Sequence, residues 1–109
     1  MSCEISVMGE GRSSLAGELC VFHAAALKPR LLAIATAGVD QEIDLAQVSE
    51  VDTAGVQLLL LAKREAARAG GRLFYVNHSE AVLEALTLLN LAPDFGDPVF
   101  MPAEKREFR

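Results

Sequence analysis

Asp52-Thr53-Ala54-Gly55 is the stretch whose residue types and spacing offer chemistry. A carboxylate and a hydroxyl stand side by side at the start of a Leu-rich helical pattern, Val56-Gln57-Leu58-Leu59-Leu60. The first N–H groups of a helix have no intrahelical acceptor, so side-chain oxygens and anions are drawn there. Thr53 is suited to be the N-cap, its hydroxyl accepting from an N–H one or two residues into the helix. Asp52 reads as a loop or capping carboxylate, or as a polar group that orients the hydroxyl. Gly55 removes a side chain from the first turn, which lets another chain or an anion approach the exposed N–H groups. A phosphate on Thr53 would sit at the positive end of the helix dipole. The segment therefore offers a helix cap, a phosphoacceptor, or both.

The other reactive residue types form no such group. His23 and His78 are far apart, and neither has a metal partner at the usual spacing. Cys3 and Cys20 form neither a metal-ligand spacing nor a disulfide framework, and read as reduced thiols, Cys20 a small buried one. Ser13-Ser14 near Gly11 is not followed by Gly-Lys-Ser/Thr, so it is no phosphate loop. No Ser/His/Asp or Cys/His arrangement is visible. The expectation is a non-enzyme with no catalytic residue, no metal site and no cofactor.

Composition narrows the partner. The chain has 109 residues, a net charge of −5 and 10 basic against 15 acidic residues. Phosphate backbones require clustered Lys and Arg, which are scattered here, so a nucleic-acid partner is not expected. The longest apolar run, Val56–Ala62, is broken by Gln57, and no run is long enough for direct membrane insertion. The N-terminus shows no secretory pattern, and with two free thiols the expected location is cytoplasmic.

Elements must position the Asp52–Gly55 segment. Ile5–Met8 alternates as a strand, and Ser14–Phe22 reads as one or two more, with Gly17 a turn or bulge. His23–Thr36 is Ala- and Leu-rich, with Pro29 in an irregular first turn of a helix closed by Gly38. Gln41–Leu45 reads as a strand and Ala46–Val51 as a connecting loop. The strongest helix runs from about Ala54 to Ala69, ended by Gly70-Gly71. On its helical wheel Gln57, Arg64 and Arg68 share a polar face opposite Leu59, Ala62 and Ala66. Leu61 falls near the polar face, which marks it as a partner contact, while Leu58 and Leu60 flank the core stripe. Arg72–Val76 reads as a buried strand, and Ser79 caps a helix to about Leu89. A short apolar stretch, Val99–Met101, follows. The reading is one α/β domain over residues 1–101, with a central mixed sheet of four or five strands and helices packed mainly on one face. Residues 102–109 form a charged tail.

With these elements in order, the chain resembles the STAS family of anti-sigma factor antagonists and sulfate-transporter tails. The family signature is an apolar strand ending Asp-Leu-Ser, then Asp-Ser-Ser-Gly or Asp-Ser-Thr-Gly and a Leu-rich helix. Here Asp44-Leu45-Ala46 and Asp52-Thr53-Ala54-Gly55 stand in those places. Gly17-Glu18-Leu19, Gly70-Gly71-Arg72-Leu73 and Ser79–Leu91 extend the likeness from about Ser13 to Phe100. The resemblance implies Thr53 as the phosphorylation site, with Asp52, Thr53, Ala54, Gly55, Gln57, Leu58 and Leu61 as the partner-binding set. It implies a bacterial partner switch: capture of a kinase-type anti-sigma factor, release on phosphorylation, and reset by a phosphatase. Thr in place of the commoner Ser keeps a hydroxyl, and Ala54 departs from the signature. Asp-Thr-Ala-Gly also resembles the STAS subunit of phospholipid-transporting ABC complexes, which implies an alternative scaffold bracing the transporter ATPase. A chemotaxis or two-component modulator is the remaining family role.

Overall fold

The computed structural model describes residues 3–89. Strands β1 (Cys3–Gly9) and β2 (Arg12–Leu19) form an antiparallel hairpin over Glu10-Gly11, where Gly11 takes the positive φ the turn needs. Helix α1 (Val21–Ala35) leads to β3 (Gln41–Val51), and α2 (Thr53–Arg68) leads to β4 (Leu73–Val76). Helix α3 (Glu80–Leu88) ends the described chain. The sheet order is β1-β2-β3-β4, with β2, β3 and β4 mutually parallel. Among the described residues the sheet is mixed and four-stranded, within the four or five strands the sequence predicts. The expected Val99–Met101 stretch and the domain limit at residue 101 lie outside the described residues.

Right-handed crossovers that step in one direction across a sheet place their helices on the same face. Alternate strand residues supply that face: Ile5 opposite Leu15, and Ser13, Ile43 and Tyr75 in one row. Leu27, Leu31 and Ala35 of α1 face it, with Val56, Leu59, Ala62 and Ala66 of α2 and Val82 and Leu86 of α3. Apart from Ser13, a buried polar residue in the same row, all belong to one buried hydrophobic cluster. Burying a side chain the size of leucine contributes roughly 1.5–3 kcal/mol, so this face carries most of the fold's stabilisation. Tyr75 adds a buried hydrogen bond, its hydroxyl donating to the Leu59 carbonyl at 2.8 Å.

Two expectations about element limits are corrected. Helix α1 begins at Val21, so Val21 and Phe22 are helical instead of strand, and Pro29 lies inside the helix rather than in its first turn. The second half of β3, read as a loop, is strand to Val51. Its alternation is broken where Asp44 Oδ1 accepts the Ala46 N–H at 2.7 Å and the register with β2 shifts. Asp44 Oδ2 also accepts from Asn77 Nδ2 at 2.8 Å, tying the end of the β3–β4 pairing. Where α2 ends, Gly70 has a φ of +93° and Gly71 is buried so closely that a Cβ would meet the Val39 backbone at 2.6 Å. Ser79 caps α3 as expected, accepting the Val82 N–H at 3.2 Å.

Candidate partner-docking site at the start of α2

Leu19 and Val51 are neighbours at the ends of parallel strands, so α1 and α2 start side by side and point the same way. Asp52 occupies the junction. Its Oδ1 accepts the Gly55 N–H at 3.0 Å and its Oδ2 accepts the Val21 N–H at 3.0 Å. One carboxylate therefore accepts an N–H from the first turn of each helix. Cys20, the residue before α1, makes no side-chain cap of its own.

This arrangement corrects the assignment of Thr53 as N-cap. Asp52 is the N-cap, with extended φ and ψ of −114° and −175°, and Thr53 is the first helical residue, exposed. Among the described residues, the Thr53 hydroxyl is not engaged in capping. The role of Gly55 is corrected as well. It is buried, and a Cβ there would collide with the Leu19 carbonyl oxygen and approach Leu19 Cγ at 2.8 Å. The glycine makes room for the chain's own β2 end and gives no outside group access to the helix start.

Two grooves flank the start of α2, and Thr53 borders one of them. Toward α3, a groove of about 450 Å³ is bordered by Thr53 and Ser49, with the carboxylates of Glu50 and Glu84. Leu88, 84% exposed, lies on its α3 side. Toward α1, a groove of about 420 Å³ has Ala24, Leu58 and Leu61 as apolar lining and Ala54 and Gln57 along α2. Two helical turns in from Val21 and Gln57 stand Lys28 and Arg64, both exposed. Phe22, the next residue after Val21, is 86% exposed.

Ala54, Gln57, Leu58 and Leu61 of the expected set meet in the α1–α2 groove, Asp52 and Thr53 border the other, and Gly55 is covered by Leu19. Leu61 is half-buried and Leu58 is 6% exposed. Sequence reasoning missed Val21, Phe22 and Lys28, because the apolar pair continues a strand-like run and its helical setting depends on a distant cap.

A third grouping was also missed. The β2–α1 bend brings Glu18, Cys20 and His23 together, with His23 Nε2 and Glu18 Oε1 3.7 Å apart. His23 thus has partners that linear spacing did not suggest, and Cys20 is half-buried instead of buried. Cys3 sits near Cys20, and burial, with smaller contributions from Cys20 and Glu4, pushes its thiol up to about 11.

A family model described as "Mlab, STAS domain" matches residues 8–95. The chain belongs to the STAS domain family. Solved STAS-type structures share the fold at low identity. A candidate anti-sigma factor antagonist from Thermotoga maritima has a TM-score of 0.67 at 16% identity, covering 94% of this chain and 89% of that one. A STAS domain protein from Planctomyces limnophilus gives 0.68 at 12% identity, covering 95% and 94%. The anti-sigma factor antagonist SpoIIAA in its unphosphorylated form gives 0.64 at 17%, covering 97% and 94%. No curated protein sequence matches the chain. No helix among the described residues is long and apolar enough to cross a membrane.

Proposed function

We propose that this STAS domain is a non-catalytic, protein-binding regulatory module that switches partners when Thr53 is phosphorylated by a kinase-type anti-sigma factor. The observation that carries this reading is the exposed Thr53 at the first position of α2, relieved of capping by Asp52. A hydroxyl that caps its own helix is held by that bond, whereas this one can be modified without loss of the cap. A phosphate adds about −1.5 to −2 charge. At Thr53 it is favoured by the helix N-terminus and repelled by Glu50 and Glu84 across the neighbouring groove. The α1–α2 groove, with its apolar lining, Lys28 and Arg64, is the complementary docking face. Anti-sigma factor antagonists of the same fold, one of them solved in phosphorylated form, support the assignment by analogy. A phosphatase completes the cycle.

A second reading is favoured by the Mlab-type family match and by Ala54 in place of a second hydroxyl. In it, the same groove holds the ATPase of an ABC lipid transporter constitutively, and Thr53 is a helix-start residue within the contact.

One experiment separates the two: affinity capture of the tagged chain from native lysate, with intact-mass analysis of the recovered protein. Recovery of a kinase-fold ATPase and a phosphate mapped to Thr53 supports the switch. A transporter ATPase with only unmodified protein supports the scaffold and removes the phosphoswitch.

A further inference from the structure

Glu18 lies at the end of β2, Cys20 immediately precedes α1, and His23 is in the first turn of α1. The strand-to-helix bend turns three different donors toward one point: a carboxylate oxygen, a thiol sulfur and an imidazole nitrogen lie within 4.8 Å of one another. In a tetrahedral zinc site with bonds of about 2.0–2.3 Å, ligand atoms are separated by about 3.4–3.6 Å. The 3.7 Å between Glu18 Oε1 and His23 Nε2 is already close to that edge length. The Cys20 sulfur stands within 4.8 Å of both of these atoms. All three residues are half-buried, so their side chains are restricted while part of the site remains open to solvent.

The backbone that carries the donors is fixed independently of any ligand. The His23 and Ala24 N–H groups donate to the Cys20 carbonyl at 2.9 and 2.8 Å, and the Val21 N–H donates to Asp52. An ordered frame reduces the entropy that binding must overcome.

The geometry points to a three-ligand site for a thiophilic divalent cation of the zinc type, held by Glu18, Cys20 and His23 with water in the fourth position. A mixed sulfur, nitrogen and oxygen donor set selects such an ion over magnesium or calcium, which take oxygen ligands. Binding breaks the Cys20 S–H bond, the proton leaves to solvent, and the thiolate lone pair forms the metal–sulfur bond without a change of oxidation state. The thiolate and the Glu18 carboxylate together cancel the charge of a divalent ion. No net cation is then placed at the positive end of α1. The bound ion ties the end of β2 to the first turn of α1, and it stabilises the folded chain by mass action. This site is independent of the regulatory reading and of Thr53.

Titration of the untagged, reduced full chain with cobalt(II), followed by absorption and then by displacement with zinc(II), tests it. The expected result is a thiolate-to-cobalt charge-transfer band with intense tetrahedral d–d bands, saturating at one equivalent. Cys20→Ser abolishes the charge-transfer band, and Cys3→Ser leaves it unchanged. His23→Gln and Glu18→Gln each weaken binding by about tenfold or more, about 1.4 kcal/mol. Far-ultraviolet circular dichroism without metal establishes that each variant is folded. No band at stoichiometric cobalt, a band that survives Cys20→Ser or disappears in Cys3→Ser, or an affinity unmoved by both His23→Gln and Glu18→Gln, overturns the site.

Discussion

The Asp52 carboxylate accepts the Val21 N–H at 3.0 Å from 31 residues away, while its second oxygen caps its own helix at Gly55. Asp52→Ala leaves both N–H groups to solvent and is expected to cost about 1–2 kcal/mol. Asp52→Asn keeps one carbonyl oxygen, so it can serve only one helix and should fall between wild type and Ala. Urea denaturation of the three proteins checks this order; equal stability of Asn and wild type would mean that one bond carries the whole effect.

Thr53→Glu places a carboxylate at the positive end of α2, where its effect on folding is expected to be within about 0.5 kcal/mol of zero. Its effect on partner binding should be large, at least tenfold weaker than wild type, while Thr53→Ala binds as wild type does. Calorimetric titration with the captured partner reads both, and equal affinity for Glu, Ala and wild type would eliminate charge as the switch.

Gly55→Ala is expected to destabilise the fold by about 3 kcal/mol, because the added methyl overlaps the Leu19 carbonyl, a backbone atom that cannot move aside alone. Thermal unfolding checks it. A neutral result would show that α2 can slide on the β2 end.

Lys28→Glu combined with Arg64→Glu reverses the charge beside the α1–α2 groove at two exposed positions. Stability should change by less than about 0.5 kcal/mol. Binding should weaken, mainly through slower association, and its salt dependence should diminish. Surface plasmon resonance at two ionic strengths distinguishes this from loss of the apolar contact in Leu61→Asp, which is insensitive to salt.

Cys3 carries the pH prediction. Burial raises its thiol from 9.0 to about 11, so the folded state holds this proton more tightly than the unfolded chain. The associated stability is present below pH 9 and is lost as pH rises toward 11. At pH 8 only about one Cys3 thiol in a thousand is ionised, so alkylation should be slow and should accelerate about tenfold per pH unit. Peptide mapping after timed iodoacetamide exposure measures this; fast labelling of Cys3 at pH 8 would mean that its strand is not closed.

Local chemistry made much of this molecule legible. The Leu-rich α2, the double glycine after it, the apolar β4 and the Ser79 cap each depend on residues within a few positions, and the sequence shows those directly. Some of the features misread depend on distant partners, and others on a choice between neighbouring residues that only the folded geometry makes. Val21 and Phe22 look like strand residues because the oxygen that starts their helix belongs to Asp52. Thr53 looks like a cap because its neighbour Asp52 can fill that position equally well, and only the geometry decides between them. The far half of β3 is hidden by the Asp44–Ala46 irregularity, which shifts the two-residue alternation by one. Gly55 is plainly special in sequence, but whether it yields to a partner or to Leu19 is a tertiary question.

The strand order β1-β2-β3-β4 has a further consequence. Many α/β proteins hold their small ligands where successive crossovers diverge to opposite sides, opening a crevice at the carboxyl ends of the strands. Here both crossovers among the described strands step the same way, and at the carboxyl ends of β2 and β3 one carboxylate is stitched between two helix starts. What this topology leaves at the rim is a shallow relief of ridge and furrow, a shape suited to being read by another macromolecule's surface.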